Sequence, residues 1–363
     1  QPEMKREGDD FVFRIPLSKY EGLRLTFMDM HAKHGDYFFH MWVYFYNPAT
    51  DEDQDYVTWE RFNIVTGSTR AQVVKRIEAS VPDRFAGRVS WRKYLDYMCP
   101  RIFLAIKNEI VEESLADDLS SLHDRDLVEG FIVESEANLI AATGGSLKSL
   151  TAMAVCVALA TGQPIGPFVP TRKAKPLYLD WETTKIEQQR RMRQICQAQG
   201  IAAIPDIKHV RMNWAFSEQA GAIRKLVDRH GYDFVVIDSI APAVNGPMKD
   251  DDLVNAFFNA CASVHATFLI VSHITKADAR AIRDGSSGQS SPFGSAFVEN
   301  RSRMVWEAVP VSPDGMPVGF PNKITYKLTK TNNRQRGARF HASYTWLPGG
   351  GIKVERLDSR SDV

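Results

Sequence analysis

Residues 141–149, Ala-Ala-Thr-Gly-Gly-Ser-Leu-Lys-Ser, stand between an apolar run at residues 137–140 and a long apolar segment, Leu150 to Thr161, that closes on Gly162. The pattern predicts a strand, a glycine turn and a helix, with a Lys-Ser pair at the helix start. Backbone N–H groups of such a turn point inward and the helix N-terminus adds partial positive charge, an arrangement that suits a phosphate group. Thr143, Gly144, Gly145, Ser146, Leu147, Lys148, Ser149 and Leu150 are therefore the candidate cradle. Lys148 would reach the β- and γ-phosphates, and the Ser149 hydroxyl would sit on Mg²⁺. The strict spacing G-x-x-x-x-G-K-[ST] is not met, because Ala142 and Leu147 occupy its two glycine positions. Gly144 and Gly145 are expected to supply the permissive backbone, and Leu147 to hold an ordinary negative φ. A plain strand-turn-helix with a surface lysine would look similar, so the turn alone does not decide.

Three later apolar runs narrow the choice. Residues 176–182 (PLYLDWE) end in two carboxylates, 234–239 (FVVIDS) end in an acid and a hydroxyl, and 268–273 (FLIVSH) end in Ser-His. Helical segments at 184–199, 217–230 and 251–264 separate them. Strands that are apolar throughout and alternate with helices belong to a parallel sheet covered on both faces. Ligands of such sheets sit beyond the carboxyl ends of the strands, so these polar ends should gather beside the glycine turn. Phosphoryl transfer needs a cation on the phosphates, a metal ligand and a group that orients water. Asp238 is the expected Mg²⁺ carboxylate beside Ser149, and His273 the expected sensor of the γ-phosphate. Asp180 and Glu182 compete for the water-orienting role, two positions apart on one side of a strand.

In order and spacing, the TGGSLKS loop, LYLDWE, FVVIDSIAPA, LIVSHITK and the GSAFVENRSRMVWEA block followed by ITYKLTKTNN resemble the RecA-like ATPases. Within them the closest likeness is to the hexameric replicative helicases of plasmids and phages, the RepA type. The resemblance covers about residues 128–357. It implies an α/β fold with a RecA-like parallel sheet flanked by helices, ATP and Mg²⁺ as cofactors, and a homo-oligomer, a hexameric ring, acting on single-stranded DNA. Other replication or recombination proteins are implied as further partners. It favours Glu182 as the catalytic carboxylate. It makes Arg303 an arginine finger reaching the neighbouring subunit's γ-phosphate, with Arg301 able to exchange roles, and makes Lys330 a second trans-acting cation. The segment 275–295 becomes a DNA-contacting loop in which Lys276, Arg280 and Arg283 meet phosphates. The competing expectation is a RecA-like ATPase that forms filaments, or acts as a regulator or loader, without unwinding.

The first 110 or so residues differ in kind. Residues 23–28 and 37–46 are aromatic-rich with a His34-Gly35-Asp36 turn between them, and residues 56–65 form a third strand candidate. A helix is expected over 69–79, capped by Ser68 or Thr69, and another from Trp91 to about Ile106 with a kink or break at Cys99-Pro100. A small N-terminal α+β domain over 1–110 is thus expected, with 111–127 as an acidic linker and 128–363 as the ATPase domain. Its aromatics with Arg24, Lys33 and Arg61 could stack on single-stranded bases, or be the core of a half-buried sheet. With 45 basic and 44 acidic residues there is no bulk polycation, so nucleic-acid contact needs local patches such as residues 190–193 or the 276–283 loop. The four cysteines show no C-x-x-C spacing, which fits a reducing, cytoplasmic setting, and no apolar run suits a membrane span. Gln1 is not an expected natural start, so the chain is read as trimmed.

Overall fold

A computed structural model describes residues 2–33, 36–82, 87–107, 126–274, 296–311, 322–332 and 337–357. The chain divides into two compact units, Gln1–Leu119 and Ser120–Val363. The expected linker at 111–127 lies outside the described residues up to 125.

In the first unit, β1 (Glu3–Glu7), β2 (Asp10–Pro16), β3 (Gly22–Lys33), β4 (Asp36–Asn47) and β5 (Glu52–Asn63) form an antiparallel sheet in chain order. α1 (Gly67–Ser80) and α2 (Trp91–Lys107) supply Val73, Ile77, Leu95 and Met98 to a core built on Phe13, Leu25, Phe27, Met41 and Val43. Strand alternation therefore splits the aromatics between two faces. Phe11, Phe13, Phe27, Phe39 and Phe62 are core. Trp42, Tyr44, Tyr56 and Trp59 form a second cluster of touching rings, in which Tyr56 and Trp59 are 52% and 50% exposed. Two local expectations are corrected. α1 starts two residues early, behind Thr66, and α2 runs unbroken through Pro100. Pro100 and Asp96, whose carbonyl loses its partner, are both exposed, so water can satisfy that carbonyl.

The second unit carries a nine-stranded sheet in the order β10 (Lys208–Arg211), β9 (Pro176–Asp180), β11 (Phe234–Asp238), β12 (Thr267–His273), β8 (Ala137–Ala142), β13 (Met304–Pro310), β14 (Asn322–Thr331), β15 (Arg339–Trp346) and β16 (Ile352–Leu357). A separate pair, β6 (Asp126–Val128) and β7 (Ile132–Val133), precedes it. Pairing is parallel from β10 to β13 and antiparallel from there to β16. Alternate residues of the parallel strands feed two cores. Ile140, Tyr178, Val236 and Leu269 join α3 (Lys148–Thr161) and α4 (Lys185–Ala198) on one face. Leu139, Leu179, Ile237 and Ile270 join α5 (Phe216–His230), α6 (Ile240–Val244) and α7 (Asp251–Ser263) on the other. This is the RecA-like sheet expected from the sequence. α8 (Ala296–Arg301) leads into β13. The four cysteines are buried and unbridged. Among the described residues no helix is long and apolar enough to cross a membrane.

The chain leaves β8 for β9 three strands away and later returns to β12 alongside β8. A reversal of this kind opens a crevice at the carboxyl ends of the strands. Register places the polar ends there: Asp238 pairs with Asp180 and Val271, and His273 with Ala142 at the mouth of the glycine turn.

Candidate functional site

α3 begins at Lys148 directly after the turn, and the chain makes that reversal by placing Leu147 in the left-handed region, φ 56° and ψ 22°. The expectation of a negative φ at Leu147 is thus corrected. The cost is on the order of 1–2 kcal/mol for a residue with a Cβ, and Leu147 packs against the core in partial return. Gly145 takes φ 78°, and a Cβ built at Gly144 or Gly145 meets nothing within 4 Å, so the turn is open on that side. Ser146 is turned in, its hydroxyl 3.1 Å from that of Thr143.

Lys148 is 4% exposed and donates to the carbonyls of Ala142 at 2.9 Å and Thr143 at 2.7 Å. Burial pushes its ammonium down to about 8, against the pull of Asp238 and Glu182.

The carboxylates divide their work by environment. Asp180 is fully buried, and burial alone would raise its carboxyl. Hydrogen bonds from His209, the Thr183 backbone, Gln188 and the Thr183 hydroxyl instead hold it well below the usual range. Both its oxygens are occupied: Oδ1 accepts from the amides of Glu182 and Thr183, Oδ2 from the Thr183 hydroxyl and the Gln188 amide. Asp180 shapes the turn. Glu182 faces the crevice with its side chain 37% exposed. It accepts from the Ser239 hydroxyl, and His273 Nε2 lies 3.4 Å from its Oε1. His273, and then Ser239 and Lys148, hold Glu182 below the ordinary carboxylate range, so it is ionised near neutrality.

Asp238 is fully buried, which raises its carboxyl, while hydrogen bonds from Tyr178 and Ser149 pull the other way. Tyr178 donates to Oδ2 at 2.7 Å, and Oδ1 has no partner within hydrogen-bond distance. A buried carboxylate oxygen left open beside a hydroxyl suits a hard cation. Among the described residues no group of three or more His, Cys, Asp or Glu could cage a metal ion. Ser149 and Asp238 would suit Mg²⁺, which commonly takes one or two protein oxygens together with phosphate oxygens.

A cavity of about 500 Å³ opens over the turn, lined by Gly145 to Leu150, His273, and Glu187, Arg190 and Arg191 of α4. Trp346 and Ile352 line it as well. Sequence reasoning missed these two; the signal was an aromatic just ahead of Gly349-Gly350-Gly351. Arg190 and Arg191, expected to form part of a nucleic-acid patch, rim this cavity and pair with Glu187.

The other candidates lie elsewhere. The Arg303 amide bonds the Ala137 carbonyl and its guanidinium pairs with Glu136, at the amino end of β8. Arg301 bonds Asn259 at 2.7 Å. Lys330 pairs in register with Val305 at that same end of the sheet. Lys330 is buried, with its ammonium turned inward onto the carbonyls of Asn300 and Ser302, satisfying the carboxyl end of α8. Lys276, Arg280 and Arg283 lie outside the described residues.

Residues 108–279 match the family described as AAA domain. No curated protein matches the chain. Among solved structures, one similar to this chain is a KaiC-like protein from the hyperthermophilic archaeon Pyrococcus horikoshii OT3, 13% identical. That likeness covers 64% of this chain and 94% of the other, with a TM-score of 0.41. The match over 108–279, with the sheet order and the glycine turn, supports a RecA-like phosphate-loop ATPase.

Proposed function

We propose that this chain hydrolyses ATP at the 143–150 turn and, as a ring of identical subunits, uses the cycle to move on single-stranded DNA. The observation that carries the ATPase reading is one cavity lined by Lys148, Ser149 and His273, with Glu182 3.4 Å from His273 and the carboxylates of Asp238 and Glu182 acting on the Lys148 ammonium. Lys148 would exchange its two carbonyl partners for β- and γ-phosphate oxygens. Glu182 would align the attacking water and take its proton, and His273, 3.4 Å from Glu182, would report γ-phosphate occupancy to the segment that follows it. Ser149 and Asp238 would hold Mg²⁺, which would supply charge to offset that of the phosphates. Trp346 and Ile352 offer the apolar wall a nucleobase needs.

The DNA reading draws support from the outer aromatic cluster of the first unit. Trp42 and Trp59 lie nearly parallel, 26° apart with centroids at 6.2 Å. Base stacking on such rings contributes about 1–3 kcal/mol per base and tolerates any sequence. Arg14 and Arg24 on this sheet are tied to Asp51, so stacking rather than charge would supply much of the affinity.

The test is ATP turnover with and without single-stranded DNA. Stimulation by DNA is expected, together with a loss of DNA affinity of tenfold or so in Trp42→Ala/Trp59→Ala, consistent with about 1–3 kcal/mol per stacked base. Turnover indifferent to DNA would favour a regulatory or filament-forming ATPase, and no turnover in any condition would refute the hydrolase reading.

A further inference from the structure

Tyr178 reads in the sequence as one more apolar residue of a buried strand, but its hydroxyl has a specific target. It stands on β9 opposite Val236 of β11, two residues before Asp238, so Tyr178 and Asp238 are diagonal neighbours on one sheet face. The hydroxyl meets Asp238 Oδ2 at 2.7 Å in a fully buried setting. We infer that Tyr178 is the positioning residue for the metal carboxylate, holding one oxygen of Asp238 so that the other is kept for the cation. The inference rests on the ATPase reading above.

The carboxylate needs such a holder. A terminal sp³–sp² torsion is soft, so an Asp side chain with no partner on either oxygen turns through a broad range. With Oδ2 fixed by Tyr178, the carboxylate is held in one orientation and Oδ1 keeps no protein hydrogen-bond partner. A phenylalanine would fill the same space and satisfy the core equally well; what a tyrosine adds is one donor, aimed at this carboxylate. Burial raises the phenol well above its ordinary value, so it stays protonated and donates at every working pH.

The ring is itself held from the far side. His209 stacks on Tyr178 with centroids 6.5 Å apart and planes 22° apart, and its Nε2 is 3.3 Å from Asp180 Oδ2. Asp180 in turn accepts the Glu182 and Thr183 amides. One chain of contacts, Tyr178–His209–Asp180, thus ties the metal carboxylate to the turn that presents Glu182. Partners of this sort, standing behind a metal ligand, commonly change metal affinity by about 10–100-fold.

The experiment titrates a slowly hydrolysed ATP analogue into the full chain and its Tyr178→Phe variant, in EDTA and across a Mg²⁺ series, following binding rather than turnover. In EDTA the two affinities should agree within about twofold, because Lys148 and the turn are untouched. The Mg²⁺ concentration that gives half of the metal-dependent gain should rise about tenfold in Tyr178→Phe, the lower end of the range for residues behind a metal ligand. In an Asp238→Asn background, which also removes the buried charge that Tyr178→Phe leaves unpaired, the same substitution should change nothing further. An unchanged Mg²⁺ midpoint in Tyr178→Phe would overturn the assignment. So would a shift that persists in full beside Asp238→Asn, or an equal loss of affinity in EDTA, which would mark a merely structural role. Absence of any nucleotide binding by the parent chain would instead fault the ATPase reading.

Discussion

In a Glu182→Gln variant ATP binding is expected to persist while turnover falls about 10²–10⁴-fold, the range a positioned general base contributes. Glutamine preserves the size of the side chain and an oxygen to accept from Ser239, but it cannot take the proton of the attacking water. The geometry favours Glu182 over Asp180 as the proposed base. Glu182 is partly exposed and ionised beside His273, whereas each Asp180 oxygen is already committed to its own turn. Asp180→Asn should therefore act chiefly on folding, because an amide NH₂ facing backbone N–H donors leaves a buried polar clash. Phosphate release measured alongside nucleotide binding checks both. Full activity in Glu182→Gln, with turnover but not binding lost in Asp180→Asn, would exchange the two roles.

Arg303→Ala is expected to lose hydrolysis by about 10³–10⁵-fold, the scale of finger arginines, with ATP binding at its own turn preserved. The strand geometry leaves no route in cis. Arg303 and Glu136 stand at the amino end of β8 and the phosphate turn follows its carboxyl end, after Ala142. At about 3.3 Å per residue that is a span of roughly 15–20 Å, beyond the reach of an arginine. As the proposed finger, the guanidinium would act on a neighbour's nucleotide, exchanging Glu136 for phosphate as it does so. Mixing Arg303→Ala with Lys148→Ala subunits should then restore part of the turnover. An assembly of the two can contain one composite site with an intact turn from one variant and an intact arginine from the other. A preorganised guanidinium stabilises the charge spread over the transferring phosphoryl far better than water does. No recovery at any ratio, with oligomers confirmed by mass, would leave Arg303 a structural partner of Glu136.

Much of the second unit was legible because its chemistry is written at strand ends. Apolar runs closing on Asp180, Asp238 and His273 announce a parallel sheet and the edge where its crevice must lie. What stayed hidden depends on contacts between elements. β10, with the polar sequence Lys-His-Val-Arg, pairs along only one side and carries no apolar signature. Leu147 was misjudged because propensity argues against a left-handed leucine, and the demand for an immediate helix start overrides it. Tyr178 looked like core because periodicity identifies a buried face without naming the partner of a hydroxyl on it. In the first unit the same periodicity showed aromatic strands but not that the rings divide into a packed face and an open one.

The most direct test of the central claim is equilibrium binding of labelled ATP to the parent chain and to Lys148→Ala. Lys148 is the buried cation held at the turn between Asp238 and Glu182. Removing it leaves the backbone N–H groups and helix N-terminus of the turn, worth up to about 2 kcal/mol in favourable geometry, with Arg190 and Arg191, paired to Glu187, at the rim. The account predicts clear binding by the parent chain and loss of most of it in Lys148→Ala, with the thermal unfolding of the free protein little changed. Equal affinity of the two proteins for ATP would contradict it.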